Sequence, residues 1–147
     1  MKTMKKLSLL IVTLILLTAC ETKEYYTTYV NDYQKNYTVR RNQWVKASDG
    51  DLGVYFYCQI ADPNLTREVF DYGIMTAYMR YVQPDSNVPE LHLLPFDDYF
   101  VDNGAQWTEQ VSCAFSPGYI TFFLKYDDQT HLDPFWDSYD FQVRFMW

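Results

Sequence analysis

The chain is 147 residues long, with 19 acidic against 12 basic side chains, a formal net charge of −7 and 19% aromatic residues. That length holds one domain of ordinary size. The acidic balance argues against nucleic acid as a partner, because phosphate binding needs clustered Lys and Arg.

Taken in order, the chain begins with Lys2, Lys5 and Lys6, followed by an apolar run over residues 7–17 broken only by Ser8 and Thr13. A positive start, a short apolar stretch and small residues before a cut are the marks of a secretory leader. The run is short for a bilayer span. Leu17-Thr18-Ala19-Cys20 resembles the lipobox of bacterial lipoproteins, a Leu three places before a Cys with small residues between. The resemblance implies cleavage before Cys20, diacylation of its sulfur and a membrane partner held through that lipid. Glu21 is compatible with sorting to the outer membrane, so the expected location is that membrane, on its periplasmic or external side. Removing residues 1–19 leaves 128 residues; three of the 12 basic side chains go with them, so 9 remain against 19 acidic, a charge of −10. All 28 aromatic residues stay, and that surplus favours strands over helices.

Residues 20–36 follow as the lipidated Cys20 and a polar tether, with Tyr25, Tyr26, Tyr29 and Tyr33 set among Thr, Asn, Lys and Glu. Its last part is expected either to join a sheet as an edge strand or to dock its tyrosines on the domain. The domain itself is expected over residues 37–147. A first strand is predicted over residues 37–46, then turn chemistry at Ser48-Asp49-Gly50-Asp51. Residues 53–60 alternate, with Val54, Phe56, Cys58 and Ile60 on one face, and should pair with the first strand as a hairpin. After Asp62-Pro63-Asn64, Thr66 can cap one helical turn and Gly73 can end it with positive φ. Strands are then predicted over residues 74–82 and 91–94, the second closed by Pro95. Residues 96–106 read as a loop, because Asp97, Asp98, Asp102, Asn103 and Gly104 outweigh the aromatics. Residues 107–115 and 119–126 form a hairpin across Ser116-Pro117-Gly118, where a type II turn needs Gly at positive φ. Residues 127–137 are an acidic loop, and 139–147 a closing strand.

Seven to eight short strands with regular turn signals give an all-β class: an antiparallel β-sandwich, immunoglobulin-like. The succession Trp44, Gly53-Val54-Tyr55-Phe56-Tyr57, Leu65-Thr66, Gly73 to Tyr78, Leu94-Pro95, Tyr119-Ile120 and Phe141-Gln142-Val143-Arg144-Phe145 is similar to a group of small uncharacterised lipoproteins of Bacteroidota. The resemblance covers most of residues 37–147. It rests on apolar and turn residues, so it implies a fold and no catalytic residue.

Candidate chemistry is sparse. His92 lies between Leu91 and Leu93 on a strand, and His131 lies in the acidic loop. A His beside an Asp can act as a base, so His131 with Asp128 or Asp133 is the hydrolase alternative; an exposed polar His is the plainer reading of either. No nucleophile motif and no metal spacing of His or Cys is present, and no cofactor is expected. The loop around Asp127, Asp128 and Asp133 carries hard oxygen donors of the kind calcium takes, without EF-hand spacing; solvated carboxylates are the default, and Asp97-Asp98 is weaker still. Cys58 and Cys113 are candidates for a disulfide in an exported protein, against the alternative of two buried thiols. Tyr55, Tyr57, Tyr78 and Phe123 fall on the faces opposite the apolar ones, where they can stack on a ligand or be covered by the rest of the domain. The expected function is a lipid-anchored, noncatalytic binding or structural module with a protein or glycan partner; the alternative outside that class of solitary binders is a subunit of a surface assembly joined by strand addition.

Overall fold

Alternation of apolar and polar residues builds the strands. The computed structural model describes residues 30–50, 53–82, 87–102, 104–127 and 133–147; the expected leader, Cys20 and most of the expected tether lie outside them. The described strands are β1 (Asp32–Arg40), β2 (Val45–Asp49), β3 (Gly53–Ala61), β4 (Ile74–Val82), β5 (Pro89–Leu93), β6 (Phe96–Asp102), β7 (Ala105–Ser116), β8 (Tyr119–Tyr126) and β9 (Ser138–Met146), with one short helix, α1 (Arg67–Tyr72). They form two antiparallel sheets, β1-β9-β4-β5 and β2-β3-β8-β7-β6. In β8 the residues Ile120, Phe122, Leu124 and Tyr126 are buried while their neighbours are not, which is the half-buried pattern of a sandwich strand.

The sheets meet through aromatic rings. Phe122 of β8 stacks on Phe141 of β9 with centroids 3.9 Å apart and planes 10° from parallel. Trp44 sits edge-on to Tyr139 at 5.5 Å and to Phe141 at 6.5 Å. Such pairs add about 0.5–1.5 kcal/mol each beyond the area they bury.

Nine strands stand among the described residues where seven to eight are expected, for two reasons. Residues 37–46 do not make one strand. Tyr37 and Val39 face the core from β1, whereas the next buried side chain, Trp44, has the opposite parity. A strand cannot change faces without a break, so the chain turns through a single 3-10 turn at Arg41–Gln43 and crosses to the other sheet. Gln43 Oε1 accepts the Arg40 amide at 2.8 Å, and Arg41 Nη2 donates to the Phe135 carbonyl at 2.8 Å. The expected hairpin survives as β2 with β3, Val45 opposite Tyr57. The second reason is β6, which replaces the loop expected over residues 96–106. Phe96 and Phe100 face inward, paired with Val111 and Trp107, and the burial of those rings outweighs the turn preference of the intervening Asp residues.

Three further points differ from or sharpen the expectations. β1 begins at Asp32, so the end of the segment expected as a tether is an edge strand along β9, with Tyr33 stacked on Phe145 at 5.5 Å. Gly73 has φ −87° rather than a positive value. Glycine is required there by space: a Cβ would stand 2.5 Å from the Val69 carbonyl oxygen and 3.0 Å from that of Met146. The Thr66 cap is present, its hydroxyl accepting from the Val69 amide at 3.2 Å, and Gly118 does carry the positive φ of its turn, +83°. Finally, an immunoglobulin domain keeps its last strand beside the preceding one in the same sheet, whereas β9 lies between β1 and β4 and β8 is in the other sheet. The two-layer architecture is the expected one, and its strand order is its own.

All four edge strands put a charged or ionisable residue on the core-facing side. Lys35 of β1 pairs with buried Val143 and holds its ammonium 4.9 Å from the Tyr37 ring; Lys46 of β2 pairs with buried Phe56 at 6.0 Å. Asp98 of β6 stands opposite Glu109, and His92 of β5 opposite Met79. Inward-pointing charges of this kind discourage pairing with a further strand.

Candidate functional site

The outward face of the five-stranded sheet gathers the aromatic residues that the interior does not use. Because side chains alternate, Tyr55 and Tyr57 of β3 and Phe123 and Lys125 of β8 all point away from the core. The register sets them in two rows. Tyr57, Phe123 and Ser112 lie side by side across β3, β8 and β7, and Tyr55, Lys125 and Gln110 form the next row. The Tyr55 ring is 6.5 Å from Tyr57 and 6.4 Å from Phe123. Small and polar side chains on β7 leave a groove of about 260 Å³ lined by Tyr55, Gln110, Ser112, Phe123, Leu124 and Lys125. One wall offers ring faces, the other an amide and a hydroxyl, and Lys125 makes no ion pair among the described residues.

Three of the four aromatics singled out in the sequence therefore come together. Tyr78 does not. It lies on the outward face of the other sheet, between Gln142 and Leu93, separated from the groove by both layers. Gln110, Ser112 and Lys125 were not singled out; their alternation with buried residues marks them as outward, but only strand register brings them to the rings.

The cysteines do not pair. Cys58 and Cys113 are free thiols on β3 and β7, both opposite Phe122 of the intervening β8. Two strand spacings separate them, about 9–10 Å, beyond the roughly 7 Å a disulfide can bridge. Burial pushes the Cys113 thiol up to about 11 and raises Cys58 as well, so neither is an activated nucleophile.

His92 is not the exposed histidine expected. It points into the sandwich, 4.2 Å from the Phe96 ring, with Nε2 3.2 Å from Glu90 Oε2. His131 and Asp128 lie outside the described residues. Asp133 is exposed, and Asp127 Oδ1 accepts the Thr108 amide at 2.7 Å, which engages one of the oxygens considered for calcium. Asp97 is exposed, and Asp98 Oδ1 accepts the Tyr99 amide at 2.9 Å. Among the described residues no group of three or more His, Cys, Asp or Glu is arranged to hold a metal ion.

Among the described residues two carboxylates are fully buried, and each is held by tyrosines. Asp62 Oδ2 accepts from the Tyr37 hydroxyl and from Tyr33 at 3.3 Å, while Oδ1 accepts from the Asn64 amide and side chain at 2.9 and 3.1 Å. Burial alone would raise its pKa, but the hydrogen bonds from Tyr37 and Asn64 together outweigh that and hold it below the usual carboxylate value. Glu109 Oε2 receives the Tyr126 and Tyr139 hydroxyls at 2.8 and 2.6 Å, and the Phe135 and Trp136 amides donate to those hydroxyls at 2.8 and 3.4 Å. Burial, then the neighbouring carboxylate, pushes the hydroxyls of Tyr37, Tyr126 and Tyr139 well above the ordinary phenol value. These centres tie loops and strands together within the fold.

No family model, curated protein or solved structure matches the chain.

Proposed function

We propose that this chain is a lipid-anchored, noncatalytic binding module of the bacterial outer membrane, presenting the outward face of its five-stranded sheet to a glycan or glycoprotein. The anchor reading is supported by the basic start, the short apolar run and Leu17-Thr18-Ala19-Cys20. Two acyl chains on Cys20 hold a protein stably where one holds it marginally. The binding reading is carried by one observation: Tyr55, Tyr57 and Phe123 adjoin on an outer sheet face beside a groove with hydrogen-bonding side chains. Sugar rings take that combination of an apolar face and a polar edge. The inward-pointing Lys35, Lys46 and Asp98 on three of the four edge strands favour this reading over a subunit joined by strand addition.

The test is retention of oligosaccharides and envelope glycoproteins by the mature chain. Tyr55→Ala and Phe123→Ala should each weaken binding by about tenfold or more, since buried anchor rings contribute roughly 1–2 kcal/mol or above. Tyr78→Ala, on the opposite side, should leave it unchanged. Equal effects at all three positions would refute the assignment of the groove. For the anchor, Cys20→Ala should release the protein from the membrane fraction, and a variant still fully bound would refute it.

A further inference from the structure

The two ends of the sandwich differ in a way that bears on how it sits at a membrane. At one end β1 starts, β9 finishes, β4 starts and the β7–β8 turn lies. Asn31 and Trp147 exchange backbone hydrogen bonds of 2.9 and 3.1 Å, and in the next row Asp32, Met146 and Ile74 stand side by side. Tyr72 closes α1 immediately before β4. Large apolar or amphipathic side chains are left in solvent at this end: Tyr72 is 84% exposed, Ile74 and Val30 61%, and Tyr119 47%. The charges among them are matched, Arg67 with Asp71 and Arg144 with Asp32, each at 2.7 Å, leaving Glu68. The other end also leaves valines in solvent, Val82, Val88 and Val101, and carries Asp49, Asp127, Asp133, Asp137 and Asp140, all exposed, against Arg40, Arg41 and Arg80, with Arg41 and Asp137 paired at 3.0 Å.

We propose that the end bearing Val30, Tyr72, Ile74, Tyr119 and Trp147 rests on the lipid surface. This inference depends on Cys20 carrying the anchor as read above. Eleven residue steps separate Cys20 from Asn31, at most about 40 Å of chain, and the chain enters the fold at this end. A nine-residue strand is about 30 Å long, so seating the opposite end on the bilayer would consume most of that reach to bring an acidic surface against anionic headgroups, which repel it. Tyr and Trp favour the boundary between headgroups and acyl chains, and paired ions lower the desolvation penalty of bringing this end close. In that orientation the strands run along the membrane normal, and the Tyr55–Phe123 groove faces sideways, open to a ligand.

The test uses the full lipidated protein in vesicles of phosphatidylethanolamine and phosphatidylglycerol whose acyl chains carry bromine near the headgroup, a contact quencher of tryptophan. Flotation reads the anchor and quenching reads the orientation. The wild type should float and lose fluorescence, and Trp147→Phe should float and lose most of that quenching. The Tyr72→Glu, Ile74→Glu double variant, altered only at exposed positions and repelled by anionic headgroups, should also float with weaker quenching. A wild type that floats without quenching, or quenching that persists in full in Trp147→Phe, overturns the orientation and leaves the anchor standing. A wild type that does not float overturns the anchor and the orientation with it.

Discussion

Removing one hydroxyl at Asp62 should leave a signature in pH that an ordinary packing loss would not. In Tyr37→Phe the buried Asp62 carboxylate loses its shortest donor and keeps Tyr33 and Asn64. A hydrogen bond to a charged buried group is worth about 1.5–3 kcal/mol, so the variant should be less stable by that amount at neutral pH. Asp62 has a folded-state pKa below its unfolded value; the stability it supplies is present above the unfolded value near 3.8 and is lost as pH falls through the folded one. Protonation thus removes what the mutation removes, and the difference between wild type and variant should shrink in acid. Tyr37 has a folded-state pKa raised above its unfolded value of 10. Its contribution is complete below pH 10 and falls as pH rises toward the folded value, by up to about 1.4 kcal/mol per pH unit. The variant lacks that phenol, so the difference should narrow in alkali too. Urea denaturation of both proteins from pH 3 to beyond pH 10, with guanidinium as a check, measures it. A difference that stays flat across that range would refute the claim that a charged Asp62 and a neutral Tyr37 stabilise each other.

Gly73→Ala should destabilise by about 1–3 kcal/mol, because its Cβ would press on two backbone carbonyls; Gly118→Ala, with open space but φ +83°, should lose about 1–2 kcal/mol through backbone strain alone, and thermal unfolding compares them. With Cys20 blocked by lipid or replaced, a thiol reagent at pH 8 should modify Cys58 and Cys113 slowly in the native protein and both rapidly in denaturant without reductant, as counted by mass spectrometry; a disulfide-linked peptide would contradict the separation across β8. Lys35→Ile and Lys46→Val should promote association, visible as larger species in sedimentation, because each removes a charge that guards a sheet edge.

Local sequence was enough for the layers. Period-two runs such as Val54, Phe56, Cys58 and Ile60 state which side of a strand is wet without reference to anything distant. The Thr66 cap and the Gly118 turn were legible for the same reason, being local backbone chemistry. The break at residues 40–43 was also written in the chain, as a polar run with a change of parity between Val39 and Trp44, but a single-strand reading passed over it. What tertiary structure alone decided was every relation between distant residues. β6 exists because Phe96 and Phe100 bury against Val111 and Trp107, a gain that no window of eleven residues contains. Gly73 is glycine for the sake of the Met146 carbonyl, seventy-three positions away, and Cys58 and Cys113 stay apart because β8 lies between them. The Tyr55–Phe123 groove depends on register, a cooperative outcome of the whole sheet. Alternation tells each side chain which face it takes, and only the pairing of strands tells it who its neighbours are.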